Sequence, residues 1–112
     1  MALTRSFMET VKARMDRDPA FRDALLAEAV DQFLLGDLAT GKALLRDTVN
    51  ATIGFERLAT ATGSSSKSLM RMLGPAGNPT ASNLFAILRA VQEEIGVRLE
   101  AIARPRRVTE PA

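Results

Sequence analysis

Gly63 stands between two short stretches whose apolar residues recur three and four apart, and this pairing constrains the chain more than any other feature. In FERLATATGSSSKSLMRML, residues 55–73, Leu58 and Ala59 mark the inner side of one short helix. Leu69, Met72 and Leu73 mark the inner side of the next. A glycine takes positive φ without a Cβ clash, and the serines after it can cap the helix that follows. Two packed helices joined by a glycine turn are a unit of all-α architecture.

The rest of the chain carries the same helical period. Phe7, Met8, Val11 and Met15 predict a first helix over about Thr4 to Met15, broken by the DRDP run at Asp16 to Pro19. Asp18-Pro19 is a cap followed by a first-turn proline, and opens a helix to about Leu35. Its two stripes, Phe21-Leu25-Ala29-Phe33 and Leu26-Val30-Leu34, predict burial on more than one side. Gly36-Asp37 ends it, and Thr40 is the expected cap of a helix over Gly41 to Thr52 with Leu44, Leu45, Val49 and Ile53 inward. After the glycine-turn pair comes GPAGNPT, a loop. Thr80 or Ser82 then caps a last helix with Leu84, Ile87, Leu88, Val91 and Ile95 on one face, stopped by Gly96. A chain of 112 residues, 46% hydrophobic, is expected to form one compact all-α unit of five helices, or five and a frayed one. Within it, 1–38 reads as a helical extension packed on the core and 39–96 as the domain around the turn. The last segment, 97–112, reads as a strand with a mobile tail.

That last segment changes period. VRLEAI, Val97 to Ile102, alternates apolar with charged residues, the two-residue repeat of a strand. A lone strand cannot satisfy its own backbone, so this reading implies pairing with a second copy or another protein's sheet edge. The plain alternative is an irregular tail lying on the core.

Several chemistries are hard to build from these residues. There is no cysteine and no histidine, so disulfides, thiolate metal sites, the commonest zinc ligand and the commonest general base are missing from the sequence. Glu93-Glu94 are adjacent and point ~100° apart on a helix, which is no catalytic pair. Asp16-x-Asp18 lacks the other ligands of a calcium loop. The GSSS serines have no histidine to activate them. Residues 36–43, GDLATGKA, match a phosphate-binding loop except at Ala43, where a magnesium-binding hydroxyl belongs. Such a loop follows a buried parallel strand, and here helix precedes it, so a helix–helix turn is the expectation. No enzyme activity, cofactor or metal is expected. No apolar run approaches the ~18–20 residues of a membrane span, and no signal peptide core is evident. A cytoplasmic protein is the expectation.

Charge singles out the middle of the chain. Residues 1–37 hold five basic and seven acidic residues, whereas 38–73 hold five basic and two acidic. With Leu69 and Leu73 inward, a helical wheel puts Arg71 ~200° and Lys67 ~160° away, neighbours at i, i+4 on the outer face. Ser65 and Ser66 lie at the helix start, where hydroxyls and free N–H groups can meet a phosphate or a base edge. Met70 sits at the margin, within reach of a thymine methyl, and Arg71 can bridge O6 and N7 of guanine. Arg57, Lys42 and Arg46, on flanking helices, are expected to hold phosphates. This is the chemistry of a helix-turn-helix that reads the major groove of double-stranded DNA.

Residues 54–91 resemble a family. The pair Leu58-Ala59, Gly63, Ser65, Ser68-Leu69 and the loop Gly77-Asn78-Pro79 match the pattern of Cro/repressor-like (XRE-type) helix-turn-helix regulators. Within that class they resemble the HigA-like addiction-module antidote proteins found beside RelE/HigB-like toxins. The closing VRLE and the upstream GDLATGKALLRDTVNATIG extend the likeness. The family often has Arg-Glu where this chain has Ser66-Lys67, so its operator does not carry over. The resemblance implies an all-α Cro/repressor-like fold and a transcriptional autorepressor that acts as an antitoxin. It also implies a homodimer on a palindromic operator and a toxin partner. The competing reading is a protein-interaction, toxin-neutralising module that keeps the fold without significant DNA binding.

Overall fold

The computed structural model describes residues 5–106, with side chains from residue 9 onward. Among these residues the chain is all-α, with six helices and no strand: α1 (Arg5–Arg17), α2 (Pro19–Leu34), α3 (Leu38–Ala51), α4 (Gly54–Thr62), α5 (Ser66–Met72) and α6 (Ala81–Ile95). The side chains of Phe7 and Met8 and the tail from Arg107 onward lie outside the described residues.

Four helices open on a side-chain acceptor three residues ahead of a free N–H. Asp18 accepts from Phe21 N, Asp37 from Thr40 N, Ser65 from Ser68 N and Thr80 from Asn83 N. Each satisfies one of the donors that a helix start leaves unpaired. The cap of α3 corrects the sequence expectation. Asp37 takes the position assigned to Thr40, and the helix begins at Leu38 instead of Gly41. Aspartate outranks threonine as a cap, and Thr40, now inside the first turn, adds its hydroxyl to the Asp37 carboxylate at 2.8 Å. These bonds, the Thr40 N–H first and its hydroxyl second, hold the Asp37 carboxyl below the usual carboxylate range.

The GDLATGKA stretch is thus the corner of a helical hairpin, and α2 with α3 forms the most extensive helix pairing among the described residues. Gly41 lies within α3 under the Phe33 ring, where any Cβ would overlap ring carbons. The close approach that would suit a phosphate serves helix packing instead.

Leu26 and Ala29 of α2, Leu45 and Val49 of α3, Phe55 and Leu58 of α4, Leu69 of α5 and Ile87, Leu88 and Val91 of α6 form one buried cluster. Burying a leucine of this kind contributes about 1.5–3 kcal/mol. The apolar face of α2 is covered less than its sequence suggests. Phe21, Leu25, Val30 and Phe33 are half-buried, while Leu34 is 74%, Leu35 57% and Leu38 39% exposed. No described element covers that corner.

Residues 97–102 do not form the expected strand. Gly96 ends α6 in the left-handed region, and the chain turns back without regular structure. Val97 and Leu99 are half-buried against the core, and Arg98 and Glu100 point out. The Leu99 N–H donates to the Gln92 side-chain oxygen at 2.8 Å, so this backbone donor has an acceptor within the chain. The two-residue period records two side chains seated on helices, and it gives no argument for a second copy. Ala101 to Arg106 are exposed.

Candidate nucleic-acid interface

The turn ahead of α5 is built from local devices. Gly63 ends α4 with φ 77°, in the left-handed region where a Cβ is strained, and donates its N–H to Ala59 O at 2.9 Å. Ser64 N–H reaches the Thr62 hydroxyl at 3.4 Å. Ser65 is extended (φ −70°, ψ 150°) and its hydroxyl oxygen accepts from Ser68 N at 3.1 Å, starting α5. Local bonds around one glycine therefore end α4 and start α5.

The wheel geometry of α5 follows the sequence expectation. Leu69 and Leu73 are fully buried and Met72 half-buried. Lys67 and Arg71 are exposed, and Met70 is 43% exposed between them. Ser65 is exposed and Ser66 half-buried. No carboxylate among the described residues pairs with Lys67 or Arg71. One side of a two-turn helix is thereby anchored in the core, and the other presents two cations flanking a methionine.

The three cations expected on flanking helices divide sharply. Arg46 is exposed on α3, on the rim of an open groove of about 620 Å³ shared with Leu73, Gly74 and Pro75. It therefore stands beside the C-terminal end of α5. Asp47 lines the same groove, and partial burial pushes its carboxyl up, with the Arg46 charge pulling the other way.

Arg57 faces elsewhere. Its guanidinium forks onto Glu94 of α6, Nη1 to Oε2 at 2.9 Å and Nη2 to Oε1 at 2.6 Å, and Glu93 lines the same shallow groove. An exposed pair of this kind contributes only about 0.2–1 kcal/mol, but two carboxylates beside it make a poor seat for a phosphate. Arg57 is a strut between α4 and α6.

Lys42 is the clearest correction. It is 5% exposed, and its ammonium donates to the carbonyls of Gly77 at 2.6 Å, Gly74 at 3.0 Å and, more weakly, Pro75 at 3.4 Å. A lysine so enclosed has no donor left for a phosphate. The sequence did hold a signal: Lys42 precedes Leu45 by three residues and Val49 by seven, on the inward face of α3.

No protein-family model, curated protein or solved structure matches this chain.

Proposed function

We propose that this protein is a sequence-specific, double-stranded-DNA-binding transcriptional regulator that represses its own promoter and acts as the antitoxin of a toxin–antitoxin pair. The observation that carries the reading is α5, with Leu69 and Leu73 sunk in the core and Lys67 and Arg71 exposed outside, without a carboxylate partner among the described residues. A helix held this way can enter a major groove without exposing the core. Arg71 is suited to guanine, Met70 to a thymine methyl, and Lys67 to either a base edge or a phosphate. Ser65 and Ser66 stand at the end of the helix that would lead into the groove. Arg46 supplies a phosphate contact from α3. Two copies on a palindrome would place two such helices ~34 Å apart or a multiple of that.

The test is a footprint and mobility-shift assay on the protein's own upstream DNA. Arg71→Ala should weaken binding by tenfold to about a hundredfold and relax preference at one guanine, at unchanged helical circular dichroism. Lys67→Ala should weaken it at least tenfold. Full affinity in both variants sinks the assignment of α5.

A second reading draws on a separate surface. The exposed Leu34, Leu35 and Leu38 at the α2–α3 corner favour a protein-interaction module that neutralises a RelE/HigB-like toxin without significant DNA binding. Recovery of such a toxin by the wild-type protein, with no footprint on its promoter, selects this reading over the first.

A further inference from the structure

We propose that Lys42 is a positioning residue whose ammonium clamps the loop behind α5 to α3, and so sets the pose in which α5 meets a duplex. The proposal rests on the DNA-binding reading for its consequence and on geometry for the clamp itself.

The loop Gly74–Pro79 has few donors of its own, because Pro75 and Pro79 lack an N–H. Gly74 N–H is spent on Arg71 O at 3.1 Å and Gly77 N–H on Gly74 O at 3.0 Å. The carbonyls of Gly74, Pro75 and Gly77 nevertheless converge on one point, and that point is the Lys42 ammonium. An ammonium has three donors and no acceptor, so three carbonyls saturate it. Among the described residues no carboxylate pairs with Lys42, and three loop carbonyls just beyond α5 do that work instead.

The loop in turn touches the last turn of α5. Gly77 packs so closely that a Cβ there would overlap the carbonyl oxygens of Arg71 and Met72. A shift of the loop is therefore a shift of the turn that carries Arg71. Lys42 sits 32 residues from Gly74 in sequence, and the contact ties α3 to the far end of α5.

The experiment combines NMR with DNA titration. In the wild-type protein the Lys42 ammonium should give a ¹⁵N-resolved signal protected from exchange with water, with no such protection at exposed Lys67. Lys42→Met should raise amide exchange at Gly74 and Gly77, the loop amides that are hydrogen-bonded, at least tenfold while core amides of α3 and α6 stay protected. It should weaken binding to the upstream duplex about tenfold with the salt slope unchanged, and Lys42→Arg should restore most of both losses.

A salt slope smaller by about 1, with loop exchange as in wild type, would make Lys42 a phosphate contact and overturn the proposal. Unchanged affinity and exchange in Lys42→Met also overturns it. If Lys42→Met does not fold, the wild-type ammonium signal and Lys42→Arg decide: an unprotected signal rejects the clamp. A wild-type protein that binds no duplex overturns the DNA reading, and the ammonium signal and loop exchange then judge the clamp alone.

Discussion

The two ends of α5 are held by different kinds of interaction. At the start, Gly63, Ser64 and Ser65 bond to groups no more than four residues away. At the finish, the loop is fixed by Lys42 from another helix and by the absence of a Cβ at Gly77. The first end is a conformational requirement, since nothing lies within 4 Å of a Cβ built on Gly63 and only its φ matters. The second is a packing requirement, since Gly77 has no positive φ and only space matters. A short helix presented to a large partner needs both, because freedom at either end lets the exposed side chains swing.

Substitutions at three positions bear on that contrast. Gly77→Ala forces a methyl into backbone carbonyls that cannot rotate away, and should cost about 3 kcal/mol, the upper part of the range for overpacking. Chemical denaturation measures it, and the loop amides should lose protection first. Gly63→Ala leaves room for the methyl but strains the left-handed conformation, and should cost about 1–2 kcal/mol by the same assay. Gly63→Asn should recover part of that loss, whereas Gly77→Asn should recover nothing. Ser65→Ala removes only the cap of α5 and should cost about 1 kcal/mol. If Gly77→Ala proves milder than Gly63→Ala, the far end of α5 is not packing-limited and the contrast fails.

The same contrast explains what could be read from the sequence. The turn at Gly63, the caps of α5 and α6 and the outward placement of Lys67 and Arg71 all depend on residues within one or two helical turns. Local spacing therefore marked the turn and the outer face, and narrowed the caps to the serines after Gly63 and to Thr80 or Ser82, of which Ser65 and Thr80 serve. Asp37 displaced Thr40 as a cap because two candidates stood three residues apart and the stronger acceptor came first. Long-range partners left no such trace. Arg57 meets Glu94 across 37 residues, and Lys42 meets carbonyls, which carry no side-chain signature at all. The alternation at Val97 to Glu100 was a true signal of which side chains turn inward. It was silent on whether helices or another strand would receive them.

The seven residues of α5 carry a further consequence. Helix nucleation is costly, and isolated helices shorter than ~12–15 residues are marginal in water. The segment from Ser66 to Met72 therefore has no helical state of its own to fall back on. Its order is borrowed from Leu69 and Leu73 in the core, so the spacing of Lys67 and Arg71 exists only while the whole domain is assembled. Unfolding and loss of the cationic face are one event, and an excised peptide of this sequence would carry the charges without their arrangement.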